Sequence, residues 1–208
     1  MFELNQKTSV DVEVFYNSKI YTINNFYKNP ELIVDYFLSI FPPLHKLGQT
    51  PSYNSIYFED RRHKIESEEI VFVYNFLESL CDKKPIKNNY IYTNLIKFSK
   101  CNFNDYTNNY WWPHLDSGYT GIVYLNEDDD HSGTNLYENI NLSEEPPTCP
   151  EHYQPWRNKN NFKLIKKIEP KFNRLVLFDA KKFLHGMNIC NDVYFQNNYR
   201  LNQVFFFS

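Results

Sequence analysis

Apolar and polar positions alternate through V-E-V-F-Y (12–16) and again through K-I-Y-T-I-N (19–24). That period of two predicts a hairpin over 12–25 with Asn17-Ser18 at the turn. The period then lengthens. Asn29 suits an N-cap and Pro30 the first helical position, where a missing N–H costs nothing. Ile33, Phe37, Ile40 and Phe41 follow on one helical face, and F-P-P (41–43) stops the helix, since a residue before proline is pushed out of the helical region. Residues 44–64 are polar and mixed, with a short strand expected at Ser55–Phe58. A second helix is expected from Ser67, as N-cap, to Cys81. Glu68 and Glu69 stand in its first turn, and Ile70, Tyr74, Leu77 and Cys81 form its buried stripe. Both helices read as packing elements under a sheet.

From Asn88 onward short apolar runs follow one another between polar turns. Strands are expected at Tyr90–Ser99, Tyr110–Asp116, Thr120–Asn126, Thr134–Glu138, Phe162–Ile168, Arg174–Asp179, His185–Ile189 and Leu201–Phe207. So many strands with no intervening helix predict a β-rich fold of the jelly-roll or cupin-like barrel type, with the N-terminal helices packed on one side. The long segment Asn139–Asn161, rich in Pro and Asn, reads as a loop: a lid, a binding loop or a disordered stretch. Trp156 and Arg157 are its lid candidates, set against a plain surface loop. There is no internal repeat.

Composition narrows the class. The 208 residues fit one domain, 1–87 supplying the hairpin and supporting helices and 88–208 the barrel core, and can bury roughly 70% of the unfolded surface. Aromatics reach 18%, which suits pleated sheets. A net charge of -3 gives no electrostatic reason to expect nucleic acid or an anionic membrane. No run is long enough to span a bilayer, and the first residues lack a signal-peptide core, so a cytoplasmic location is expected. Cys81, Cys101, Cys149 and Cys190 show no C-x-x-C spacing and read as reduced thiols. Nothing in the sequence sets an oligomeric state.

The candidate chemistry starts at Y-W-W-P-H-L-D (110–116). In an extended strand His114 and Asp116 project from one face, so an imidazole and a carboxylate lie side by side. These are two of the three ligands of the 2-His-1-carboxylate triad that holds non-haem Fe(II) with open positions. In F-N-R-L-V-L-F-D-A-K-K-F-L-H-G (172–186), His185 follows a strand and a turn. A double-stranded β-helix sets distant strands face to face, so His185 can be the third ligand. Arg200 begins the last strand; a guanidinium inside a barrel needs a partner, and its planar fork matches a carboxylate. Ile122 and Tyr124 share one face of T-G-I-V-Y-L-N (120–126) and can line the same pocket.

Together these segments resemble the Fe(II)/2-oxoglutarate-dependent oxygenases, and within them the prolyl-hydroxylase branch. The likeness rests on P-H-L-D, I-V-Y-L-N, H-S-G-T-N-L-Y, P-K-F-N-R-L-V-L-F-D, H-G and Y-R-L-N-Q-V-F-F-F, in order, over about 90–207; the lead-in Y-T-I-N-N-F-Y-K-N-P-E-L matches more loosely. The resemblance implies a distorted double-stranded β-helix in which His114, Asp116 and His185 bind iron. It implies that Arg200 holds the distal carboxylate of 2-oxoglutarate, helped by Tyr124, with Ile122 beside it. The implied reaction hydroxylates a C–H bond, using O2 and releasing succinate and CO2, with ascorbate as an optional reductant. The implied substrate is prolyl or another amino-acid type, free or in a peptide, or a small molecule. Two departures stand out. The His185-to-Arg200 interval is long, so N-D-V-Y-F-Q-N-N (191–198) should bulge as a loop. Phe206 stands where many relatives carry Trp.

Other readings compete. Taken singly, His114 and Asp116 form an ordinary hydrogen-bonded pair, His185 a core histidine and Arg200 an ion-pair residue; only the set points to iron. Two alternatives differ in function: a cupin-like iron enzyme that does without 2-oxoglutarate, and a silent barrel that binds a peptide or sugar through Asn139–Asn161. His131, the one rival ligand, reads as an exposed loop residue, and the acidic run Glu127–Asp130 as a solvated turn. Trp111 and Trp112 suit a pocket wall or the core equally. Tyr106 and Tyr110 could reach substrate or cosubstrate.

Overall fold

The computed structural model describes residues 1–45, 58–81, 90–98, 109–127, 132–141, 156–189, 191–195 and 198–207. The elements run β1 (Val10–Phe15), β2 (Ser18–Ile23), α1 (Pro30–Ile40), β3 (Phe58–Lys64), α2 (Ser67–Leu80), β4 (Tyr90–Phe98) and β5 (Asn109–His114). There follow β6 (Tyr119–Tyr124), β7 (Ser132–Asn139), β8 (Trp156–Asn158), β9 (Phe162–Ile168), β10 (Arg174–Asp179), β11 (Leu184–Ile189) and β12 (Arg200–Phe207). The strands form two antiparallel sheets. The larger has the order β1-β2-β10-β6-β12-β4-β3, the smaller β8-β5-β11-β7-β9.

The period of two sorts side chains into layers. Along β6, Val123 turns to the outer face of the larger sheet and Ile122 and Tyr124 to its inner face. The outer layer gathers Tyr21, Ile23, Leu95, Val123, Leu175, Leu177, Leu201 and Phe205 against Ile33 and Phe37 of α1 and Ile70, Val73 and Leu77 of α2. Burying side chains of this size contributes about 1.5–3 kcal/mol each, which fixes the helices on that face. The inner layer joins Ile122, Tyr124, Val176 and Phe178 to Leu136 and Ile168 of the smaller sheet. The two sheets therefore share an apolar seam.

Several boundaries differ from those read off the sequence. The first turn is Tyr16-Asn17, one residue earlier than expected, with φ of 48° and 55°. A two-residue hairpin favours positive φ at both central positions, and the turn is placed by the pairing Phe15↔Ser18. Ile40, in the last turn of α1, and Phe41, which has left the helix at φ 42°, are both exposed rather than buried. Glu66, not Ser67, caps α2, and Val73 joins its buried stripe. Of the strand expected at Ser55–Phe58 only Phe58 is described; it opens β3, a charged edge strand (F-E-D-R-R-H-K) whose composition hides it. Charges of that kind protect an edge from further pairing. Trp156–Asn158 pairs with β5 as β8, so part of the expected loop is a strand. The expected bulge before β12 contains a 3-10 turn at Val193–Phe195 with Tyr194 buried. Cys81 is a thiol whose S–H donates to the Leu77 carbonyl at 3.5 Å. Cys101, Tyr106, Asp128–His131, Cys149 and Cys190 lie outside the described residues. No described helix is long and apolar enough to cross a membrane.

Candidate metal centre

β11 lies between β5 and β7 in the smaller sheet, and its register sets His185 directly opposite His114. Facing residues of neighbouring strands share a side, and the two rings stand 4.3 Å apart between centroids. Asp116 reaches the pair by a route the strand reading did not foresee. β5 ends at His114, so alternation along the strand does not aim this carboxylate. Instead the Asp116 N–H donates to the carbonyl of Ala180 at 3.1 Å, while the Ala180 N–H donates to Gly118 at 2.8 Å. The turn after β10 thus carries Asp116 back over the histidines.

His114 Nε2 lies 3.6 Å from Asp116 Oδ1, and His185 Nε2 lies 3.3 Å from Asp116 Oδ2. All three ligand atoms fall within 4.8 Å of one another. Cis donors about 2.1 Å from one ion would sit about 3 Å apart, so the group closes on a cation with small side-chain shifts. His185 Nδ1–H donates to the Phe183 carbonyl at 3.2 Å, which orients the ring with Nε2 toward Asp116. The Thr120 hydroxyl donates to Asp116 Oδ2. Burial opposes ionisation of Asp116, but the hydrogen bond and charge of His185, the charge of His114 and the Thr120 hydroxyl outweigh it. The carboxyl is held well below the usual carboxylate range. Two imidazoles, one ionised carboxylate and fixed outer partners fit a divalent first-row metal.

The triad opens on a cavity of about 250 Å³ between the sheets. Ile122, Val204 and Phe206 supply apolar wall, and Thr134, Gly186 and Met187 face them from the smaller sheet. Arg200 lines the same cavity although only 3% exposed, and its Nε–H donates to Ser132 Oγ. Tyr124 stands one layer back. It is buried, and its hydroxyl and that of Thr134 share a hydrogen bond of 2.8 Å, so Thr134 separates it from the cavity. Burial raises the Tyr124 phenol, against the Thr134 hydrogen bond and the Arg200 charge, and keeps its proton in place. A larger cavity of about 360 Å³, lined by residues that include Tyr110, Asn135, Lys159 and Lys167, holds no group of metal-ligating side chains among the described residues. Its size does not make it the site of chemistry.

No protein-family model and no curated protein matches the chain. Among solved structures it is similar to a proposed oxygenase from Shewanella oneidensis, at 9% sequence identity and a TM-score of 0.45, over 90% of this chain and 81% of that one.

The structure brings His114, Asp116, His185, Ile122 and Arg200 to one cavity, with Tyr124 behind its floor. Trp111 is fully buried, and Tyr110 lines the other cavity. Thr120, Ser132 and Thr134 were missed by sequence reasoning. Thr120 could have been found from its place four residues past Asp116. Nothing in S-G-T marks its two hydroxyls as reaching Arg200 and Tyr124.

Proposed function

We propose that this chain is an Fe(II)/2-oxoglutarate-dependent dioxygenase built on a distorted double-stranded β-helix. The observation that supports this is the convergence of His114, Asp116 and His185 at a cavity that also holds the buried guanidinium of Arg200. The first three supply a facial donor set that leaves positions open. The last supplies a planar fork for the far carboxylate of a dicarboxylic 2-oxo acid.

Bound iron, with 2-oxoglutarate and O2, would supply the oxidising equivalent that turns C–H into C–OH while the oxo acid becomes succinate and CO2. The chain's own part is placement. His185 is kept in one tautomer by Phe183, and Asp116 is held ionised. Arg200, with Ser132 and Thr134 beside it, orients the distal carboxylate, and Tyr124 steadies Thr134. Ile122, Val204 and Phe206 keep water from the methylene chain. The substrate on this reading is a prolyl or other amino-acid type, or a small metabolite. Ascorbate would serve only to restore iron oxidised without product.

Purified protein should convert 2-oxoglutarate to succinate only when Fe(II) is added, and His185→Ala should lose both turnover and tight metal binding. A His185→Ala protein that works as well as its parent removes the assignment. Full activity in Arg200→Ala would mean an iron enzyme that does without 2-oxoglutarate, and failure to bind any divalent metal would mean a binding module.

A further inference from the structure

A row of polar side chains crosses the cavity wall at right angles to the strands. The register pairs Arg62 of β3 with Asn94 of β4, and Asn94 with Asn202 of β12. All three line the cavity that holds the triad. Adjacent strands are about 4.8 Å apart, so the row steps from the centre of the larger sheet to its edge. Asn94 is 9% and Asn202 4% exposed, and the carbonyl oxygen of each has no hydrogen-bond partner. A buried acceptor left in that state has lost its water and gained no partner in exchange. As the amides stand, both oxygens are shut away from the cavity; the terminal torsion of asparagine is broad, so a half-turn of each amide brings its oxygen to the cavity side. At the end of the row Asp60, itself 2% exposed, fixes Arg62: Nε donates to both carboxylate oxygens at 3.2 and 2.9 Å, and Nη2 lies 2.8 Å from Oδ2.

Two acceptors side by side call for a ligand group with several donors. An ammonium has three and can serve both amides at once, whereas a hydroxyl has one. The next station is a guanidinium whose Nε–Nη2 edge is taken by Asp60, so a ligand carboxylate would meet its Nη1 side. Ammonium and carboxylate one carbon apart are the head of a 2-amino acid. A cavity of about 250 Å³ is also below the roughly 300–1,000 Å³ typical of larger ligands, which leaves little room for a peptide beside a cosubstrate. We propose that the row Arg62–Asn94–Asn202 binds the head group of a free 2-amino acid and that this, rather than a peptidyl residue, is the molecule oxidised. The proposal rests on the reading of the metal site above and adds the substrate class.

The test is equilibrium binding to the full chain loaded with Mn(II) and 2-oxoglutarate, titrated with each of the twenty free amino acids. The best ligand is then compared with its N-acetyl, carboxamide and 2-hydroxy analogues. At least one free amino acid should bind, and each analogue should bind at least tenfold more weakly. Asn94→Leu and Arg62→Gln should lose tenfold or more in amino-acid affinity while the 2-oxoglutarate affinity moves less than twofold. Asn94→Asp should bind the ammonium more tightly than the parent. Absence of binding by any free amino acid overturns the proposal, as does an N-acetyl or 2-hydroxy analogue that binds within twofold. The analogue series is read on the unaltered chain and does not depend on the variants folding. Binding of 2-oxoglutarate, measured in the same titrations, reports separately on the oxygenase reading: if it binds and no amino acid does, only the present proposal falls.

Discussion

Gly133→Ala is expected to damage both the fold and the floor of the cavity. Gly133 lies on β7 between Ser132, which accepts from Arg200, and Thr134, which shares a hydrogen bond with Tyr124. A Cβ at this position would fall well inside 3.0 Å of the Ile168 carbonyl oxygen, 3.0 Å from Pro170 Cδ and 3.2 Å from the Ile168 carbonyl carbon. The nearest obstacle is backbone, so no side chain can swing away to make room, and β7 must move off β9. Overpacking of this kind costs about 1–3 kcal/mol, and a backbone obstacle places the cost at the upper end. For a chain of this size, 1 kcal/mol corresponds to about 2–4 °C in Tm, so a fall of about 6–12 °C is expected. Differential scanning calorimetry on parent and variant measures it. On the proposed dioxygenase reading, a calorimetric titration with 2-oxoglutarate, with Mn(II) present, should show weaker binding because Ser132 and Thr134 move with the strand. A variant that melts within about 1 °C of the parent and binds 2-oxoglutarate equally well would refute the reasoning.

Asn173→Ala should cost about 3 kcal/mol. It deletes two buried hydrogen bonds of 2.8 Å, from the Tyr27 N–H and to the Tyr27 carbonyl, and it puts alanine at a φ of 59°. Urea unfolding should show a lower midpoint with little change in slope, and an unchanged midpoint would contradict it. Glu59 gives a pH test. Burial raises its pKa, but hydrogen bonds from Tyr199 and Arg61 and the charges of Arg61 and Lys97 bring it below its ordinary 4.5. A carboxylate depressed in the folded state stabilises fully above its unfolded pKa, and that contribution is lost as pH falls through the folded value. The stability gap between the parent and Glu59→Gln should therefore be constant near neutrality and shrink below pH about 4.5; a gap that widens in acid would reverse the sign. Tyr27→Phe should destabilise by about 1–3 kcal/mol, since the Tyr27 hydroxyl donates to Gln203 Oε1 in a fully buried position. Equal stability of that variant in guanidinium would show the bond to be worthless.

The strands that face the core on both sides were legible because their apolar runs are long: β6, β10 and β12 begin and end within a residue or two of their expected limits. β3 and β8 were not. Seven residues with five formal charges (Glu59, Asp60, Arg61, Arg62 and Lys64) and the ionisable His63 have no apolar period, and β3 is a strand only because β4 offers it a ladder. β8 has three residues and exists through its pairing with β5. At the site, the residue types and order of His114, Asp116, His185 and Arg200 were enough to nominate them. The means of bringing them together were not visible. Asp116 depends on a hydrogen bond to Ala180, sixty-odd positions away in sequence, and not on strand alternation. Asn94 and Asn202 stand inside expected strands with nothing to single them out; only the register between β4 and β12 makes them neighbours.

β3 borders the larger sheet: β4 is its one strand partner, and its outer side meets only the short segment Pro43–His45 through the Leu44↔Arg61 bridge. The triad and Arg200 lie on strands paired at both sides or on the turns that follow them. Residues on a border strand can be exchanged without disturbing the ladder beyond it, so Arg62 and its neighbours form a replaceable rim around a fixed centre. Relatives sharing these two sheets could diverge in what they accept by rewriting this rim alone, with the centre left as it is.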